Sequence, residues 1–233
     1  MLLENLPVFI IHYTKLKDRK SYLEAFLNKH FLDYRFITEY DKEKLNHEDI
    51  IEKYIKDKKE FLKKIKKLWG NKEAEFRELS KSEISCSFKH LHALKKASES
   101  QSEYSLIIED DVIPDTQFEK KFSKTLKNIN NLDWDLVFVG NGIGKKFIYN
   151  KLKFRILSST PQKVSHPSTN CADSYLIKKD AAEKLIMNFK SFNLSYDWEL
   201  AYQIYLLDLK VYWSTRPVFK QGSKIGKYQS ELR

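Results

Sequence analysis

Ser105-Leu106-Ile107-Ile108-Glu109-Asp110-Asp111 runs from an uncharged, mostly apolar stretch straight into three acids. The apolar part has the length and composition of a buried strand. Carboxylates where such a strand emerges can hold a hard divalent cation, because Mn²⁺ and Mg²⁺ favour oxygen ligands and leave room for substrate phosphates and water. In open α/β sheets ligands collect at the carboxyl ends of strands, so one short stretch predicts both a strand and a site. A polar turn closed by Pro114 is the plain alternative.

Short β-rich runs alternate with helical segments on both sides of this stretch, which points to an α/β fold. Strands are expected near 7–12, 34–38, 104–109, 134–140, 173–177 and 210–214. Helices are expected near 17–30 and 116–130, with another running from Glu83 through Leu91, Leu94 and Ala97. Residues 41–79 break the rhythm. Ile50, Ile51, Tyr54, Ile55, Phe61, Leu62, Ile65, Leu68 and Trp69 recur at helical spacing, which predicts a helical insertion within a single domain spanning residues 1–233. Gly140-Asn141-Gly142-Ile143-Gly144 follows a predicted strand without opening a helix, so it reads as a loop beside the cleft or a plain turn, not a dinucleotide fingerprint.

The segment Glu83-Ile84-Ser85-Cys86-Ser87-Phe88-Lys89-His90, followed by the strand ending in Glu109-Asp110-Asp111, resembles glycosyltransferase family 25, the lipooligosaccharide and collagen galactosyltransferase-like family. Ser85 stands where that family has glycine, and Lys89 where it has serine. The likeness extends to Val8–His12 with Lys17-Asp18-Arg19, to Trp134–Gly140, to Asp173–Ile177, to Asp197-Trp198-Glu199-Leu200 and to Gln221-Gly222-Ser223. It implies a GT-A-like nucleotide-binding mixed sheet flanked by helices. It also implies an enzyme that moves a hexose, galactose by family likeness, from a UDP-sugar to a glycan or lipid-linked glycan acceptor such as lipooligosaccharide, or to a protein hydroxyl.

Such a reaction needs the charge on a departing nucleoside diphosphate to be neutralised, and Glu109 and Asp111 are the expected metal ligands for Mn²⁺ or Mg²⁺. They share a side if the strand persists through Asp111, which leaves Asp110 to reach the donor ribose. An inverting transfer also needs a carboxylate to deprotonate the acceptor. Asp197, at the start of a predicted helix, is the expected base, with Glu199 in reserve; an aspartate at a helix start also serves as a cap. Ser80 and Glu83 have capping-box spacing, while Glu83, Cys86 and His90 fall on one helix face that can lie beneath the donor. Thr14, Lys17 and Arg19 after the first strand, with Gln221 and Ser223 in a glycine- and lysine-rich segment able to close over phosphates, complete the expected donor contacts.

With 42 basic against 32 acidic residues the chain carries a formal charge of +10, which favours anionic partners without choosing among them. Eight lysines lie between Lys53 and Lys67 against Asp57 and Glu60, so this stretch is either a solvated helix face or a peripheral contact with an anionic membrane. No apolar run approaches the roughly 18 residues of a membrane span, and no signal-peptide pattern opens the chain. The expectation is a cytoplasmic protein, peripheral at most to the inner face of a membrane. Cys86 and Cys171 lack the spacing of a disulfide framework or zinc motif, and Asn193-Leu194-Ser195 is a sequon without a secretory context. Nucleic-acid binding, which rests on charge alone, is not expected. A catalytically idle nucleotide- or glycan-binding module remains the rival reading.

Overall fold

A computed structural model describes residues 5–70, 74–142, 160–166 and 171–231. Strands β1 (Val8–Ile11), β2 (Tyr34–Ile37), β3 (Tyr104–Glu109), β5 (Leu136–Phe138), β6 (Gln162–Lys163), β7 (Ser174–Lys178) and β8 (Val211–Trp213) form a seven-stranded sheet of order β2-β1-β3-β7-β5-β8-β6. β2, β1 and β3 are mutually parallel, while β7 runs antiparallel to both of its neighbours, β3 and β5. The short strands β4 (Val112–Pro114) and β9 (Phe219–Gln221) pair antiparallel outside this sheet. The mixed sheet with flanking helices is the GT-A-like architecture expected. Two- and three-residue strands such as β4, β6 and β9 carry no readable period, and they are the elements that sequence patterning missed.

Residues of the central strands alternate between two cores, as the strand period requires. Val8, Ile10, Leu106 and Ile108 meet Leu23 and Leu27 of α1 (Lys17–His30) and Phe118 and Phe122 of α5 (Phe118–Ile129). Phe9, Ile11 and Ile107 face the opposite layer, with Phe88 and Leu94 of α4 (Lys81–Glu99), Leu185 of α6 (Lys179–Asn188) and Leu200 of α7 (Tyr196–Leu206). Burial on both faces explains why these strands read as unbroken apolar runs.

Residues 41–79 are not helical throughout. α2 (His47–Lys53) and α3 (Lys58–Trp69) are separate, because Asp57 accepts hydrogen bonds from Lys59 N at 2.7 Å and Glu60 N at 3.2 Å and so starts a new helix. The apolar stripe of α3, with Phe61, Ile65 and Leu68, packs against Leu194, Ala201 and Tyr202. Lys59, Lys63 and Lys66 stay exposed on its other face, together with Leu62. No described helix is long and apolar enough to cross a membrane.

Because β7 runs opposite to β3, its first residues lie beside the last residues of β3: Ile108 pairs with Ser174, and Glu109 N donates to Asp173 O at 2.9 Å. The end of β5 reaches the same edge, where Val139 N donates to Ser174 O at 3.0 Å. One rim of the sheet thus gathers His12, Glu109, Gly140 and Asp173 from four strand ends.

Candidate active site

Asp110 and Asp111 turn the chain away from β3, so the three acids do not simply alternate. The carboxylate of Asp110 is held on both oxygens. His12 Nδ1 donates to its Oδ2 at 2.9 Å, Tyr13 N donates to the same oxygen at 3.1 Å, and Arg19 Nη1 donates to Oδ1 at 2.9 Å. It therefore fastens the turn after β1 and the start of α1 to the end of β3, and it borders the cavity expected to take the donor. Arg19 is itself buried, donates from Nη2 to Gln229 O at 2.6 Å and lies 4.9 Å from the Tyr228 ring.

Asp111 is held differently. Its Oδ2 accepts from Ser223 N at 3.2 Å, but its Oδ1 is buried without a hydrogen-bond partner. An unpaired buried carboxylate oxygen is costly unless something positive reaches it. Gly222 makes the approach possible: its N donates to Asp111 O at 2.7 Å, and any side chain there would strike that carbonyl and Tyr228. Gly222 and Ser223, just past the end of β9, thus sit against Asp111. Gln221 Oε1 is a second buried oxygen without a partner.

Glu109, Asp111, Asp173 and Asp197 repel one another electrostatically and all titrate above the ordinary carboxylate range. Burial, then Asp111 and Asp173, push Glu109 well up; burial raises Asp111 against hydrogen bonds from Ser223. Burial and the neighbouring Asp111 lift Asp173 to about 7, and burial lifts Asp197 to about 6. Such a set favours a bound cation, which would allow all its members to ionise together. Asp173 was not singled out in the sequence. Only the reversal of strand direction at β7 brings it to the rim, a property of topology that no local motif carries. Its carboxylate fills the space that a Cβ on residue 140 would occupy, so Gly140→Ala should lose about 1–3 kcal/mol to overpacking. Urea titration of Gly140→Ala, Asp173→Ala and the double variant checks this: the double variant should recover part of the loss, and strict additivity would dissociate the two positions.

His90 lies beneath this group. Its ring stacks on Tyr196 with centroids 3.8 Å apart, its Nε2 is 3.3 Å from Glu109 Oε1, and its Nδ1 is 3.4 Å from Tyr175 Oη. Burial drops its pKa to about 3, so it is neutral at physiological pH. Cys86 is one helical turn away, and among the described residues Cys86, His90 and Glu109 are the trio of potential ligands whose donor atoms all lie within 4.8 Å of one another. Glu109, Asp111 and Asp173 do not close to that distance.

Asp197 occupies the first turn of α7, not its cap position, which belongs to Ser195. Its Oδ1 accepts from Ser195 Oγ at 2.9 Å and Trp198 N at 3.0 Å. Glu199, two residues on, faces away and is completely buried. Lys64 Nζ donates to both its oxygens, at 2.7 and 2.9 Å, which joins α3 to α7. The helical turn thus separates the two proposed bases, and Glu199 has the surroundings of a structural ion. Glu199→Gln should destabilise the fold by about 3–5 kcal/mol, the cost of stranding a buried partner charge. Chemical denaturation reads this, and a loss below about 1 kcal/mol would remove the structural assignment.

The remaining expected contacts divide. Ser80 and Glu83 form the capping box, and Arg77 donates to both Glu83 oxygens at 2.8 and 2.5 Å. Thr14 Oγ1 donates to Asp41, and Lys17 is exposed at the start of α1. At the two positions that depart from the family pattern, Ser85 Oγ donates to Tyr40 O at 2.6 Å, and buried Lys89 donates to His12 O at 2.5 Å and to Asp41 Oδ1 at 2.6 Å. Lys89 therefore braces the turn after β1.

Two cavities meet at Glu109. One, with about 650 Å³ of empty space, is bounded by His12, Tyr13, Arg19, Lys42 and Lys89. The other, a wide cleft of about 1940 Å³ open to solvent, is bounded by Glu83, Cys171, Asp197 and Lys224. Both share Cys86, Glu109, Gln221 and Ser223. A GT-A-like sheet with an acidic rim between two cavities is the arrangement of a glycosyltransferase. The chain belongs to glycosyltransferase family 25 (LPS biosynthesis protein), whose sequence model matches residues 5–200. It is 26% identical over 181 residues to procollagen galactosyltransferase 2 of Homo sapiens, covering 77% of this chain and 27% of that protein. It is also 26% identical over 136 residues to procollagen galactosyltransferase 1-B of Xenopus laevis, covering 57% of this chain and 21% of that protein. The chain thus aligns with only about a quarter of the length of these curated relatives.

Proposed function

We propose that this chain is a metal-dependent, inverting glycosyltransferase that moves a hexose, galactose first among them, from a UDP-sugar to a glycan acceptor such as lipooligosaccharide. The observation that carries this reading is the junction at Glu109, where a cavity bordered by Arg19, Lys42 and Lys89 opens into a cleft bearing Asp197. The donor would lie in the first cavity, with its sugar at the junction and the acceptor in the second. A protein hydroxyl is the second acceptor class, favoured by the names of the procollagen-directed relatives.

Mn²⁺ or Mg²⁺ fits the acidic rim, since the buried Oδ1 of Asp111 has no partner and burial with mutual repulsion raises the pKa of the surrounding carboxyls, a cost that a cation would relieve. Asp111, Glu109 and Asp173 would hold it. When bound, such an ion neutralises charge on the leaving diphosphate. Asp110 orients Arg19 and the turn at Tyr13 along the donor cavity. Lys224, fixed by Gly142 O and Cys171 Sγ at 2.7 Å each, supplies a positive charge on the wall of the cleft. Asp197 takes the acceptor's hydroxyl proton as the new glycosidic bond forms and the bond to the diphosphate breaks.

Any contact with an anionic membrane would act through the exposed lysines of α3 with exposed Leu62 beside them, because Phe61, Ile65 and Leu68 pack inside the protein. Screening UDP-sugars for Mn²⁺-dependent thermal stabilisation tests the function. A ligand at a hundred times its Kd adds about 2.7 kcal/mol. Stabilisation by a UDP-sugar that needs Mn²⁺, followed by transfer to an acceptor, is expected. Binding without turnover would mark an idle module, and stabilisation by nucleic acid without Mn²⁺ would remove the transferase reading.

A further inference from the structure

The acidic rim suits a hard cation, yet the most closely convergent ligands at this site have a different chemistry. Cys86 and His90 lie four residues apart on α4, so they project from the same face one turn apart, and Glu109 reaches them from the end of β3. All three donor atoms fall within 4.8 Å of one another. A thiolate, an imidazole and a carboxylate form a borderline-soft set that favours zinc over manganese or magnesium. The groups around the His90 ring are in place as well. Tyr175 Oη, 3.4 Å from His90 Nδ1 and 3.0 Å from Tyr196 Oη, can accept the Nδ1 proton, which turns the Nε2 lone pair toward Glu109. Stacking on Tyr196 fixes the plane of the ring. A buried outer-shell partner on the distal nitrogen is the usual accompaniment of a metal-bound histidine. Both cavities are bounded by Cys86 and Glu109, so two of the three ligands border space that an ion can enter.

We propose that Cys86, His90 and Glu109 form a Zn²⁺ site, distinct in ligand chemistry from the acidic rim. On binding, the Cys86 thiol releases its proton to water and the sulfur becomes a zinc ligand. Because Glu109 belongs to both groups, zinc in the trio would compete with a cation on the rim; that consequence, though not the site, rests on the proposed function.

Co²⁺, a spectroscopic substitute for zinc, is the probe. Titrating the metal-free protein should produce a near-ultraviolet sulfur-to-cobalt charge-transfer band that Zn²⁺ abolishes. The band should be lost in Cys86→Ser and kept in Cys171→Ser. In Tyr175→Phe, Co²⁺ affinity should fall by about tenfold to a hundredfold, the cost of a missing outer-shell partner. Absence of the band in the unaltered protein, or its survival in Cys86→Ser, would overturn the proposal. Mn²⁺-dependent UDP binding measured on the same sample keeps this outcome separate from the fate of the transferase reading.

Discussion

Asp111→Asn should abolish Mn²⁺-dependent UDP binding without lowering the stability of the metal-free protein. The two halves of this expectation have one cause. Asp111 Oδ1 is a buried oxygen without a partner, surrounded by other carboxyls and raised in pKa by burial. A neutral amide removes a negative ligand, so a divalent ion loses much of its attraction to the rim. Its carbonyl oxygen can still accept from Ser223 N, so the backbone contact survives. Removing the charge also relieves repulsion.

The same groups set a pH dependence. Unfolded carboxylates titrate near pH 4, whereas in the folded chain Asp197 and Asp173 hold their protons to about 6 and about 7. Between those limits the native state binds more protons than the unfolded one, so stability of the metal-free protein falls as pH rises through about 4 to 7. Mn²⁺ should flatten that fall, and the flattening should be missing in Asp111→Asn. Calorimetry with UDP and Mn²⁺, joined to melting curves across this range, measures both effects. Unchanged affinity in a folded variant would take Asp111 out of the metal site.

Much of this geometry was legible because the decisive residues lie in local patterns. The run from Ser105 to Asp111 marked the end of a strand that is buried on both faces, and the spacing of Ser80 and Glu83 marked the capping box observed. What local pattern could not carry was direction. Whether Asp110 and Asp111 alternate or turn depends on β4 and β9, strands of three residues whose pairing is fixed by distant contacts. Asp173 reaches the rim only because β7 is antiparallel. Glu199 has the same local context as Asp197, and nothing in Asp197-Trp198-Glu199-Leu200 says that Lys64, 135 positions away, receives its charge. The lysine-rich stretch is ambiguous for a related reason. An apolar stripe on a basic helix has the same spacing whether it meets lipid or, as here, Leu194 and Tyr202.

Asp197→Asn should leave donor binding nearly unchanged while lowering kcat by at least about a hundredfold, the lower range for loss of a general base. The structure sharpens what this variant separates. The cap position belongs to Ser195, and Asp197 Oδ1 takes the Ser195 hydroxyl and Trp198 N, both of which an asparagine oxygen can also accept. The fold therefore keeps its contacts while the basic lone pair is lost. Burial lifts the Asp197 carboxyl to about 6, with Lys224 opposing the rise. A base must be ionised to act, so turnover should fall as pH drops below about 6, and a cation on the nearby rim should move that limb lower. In the asparagine variant the residual rate should lose the limb as well as its magnitude. A stable variant with near-normal kcat would leave Asp197 as a helix-turn residue only. With Glu199 already committed to Lys64, Asp173 would then be the carboxylate to test as the base, since its pKa near 7 keeps part of it ionised under neutral conditions.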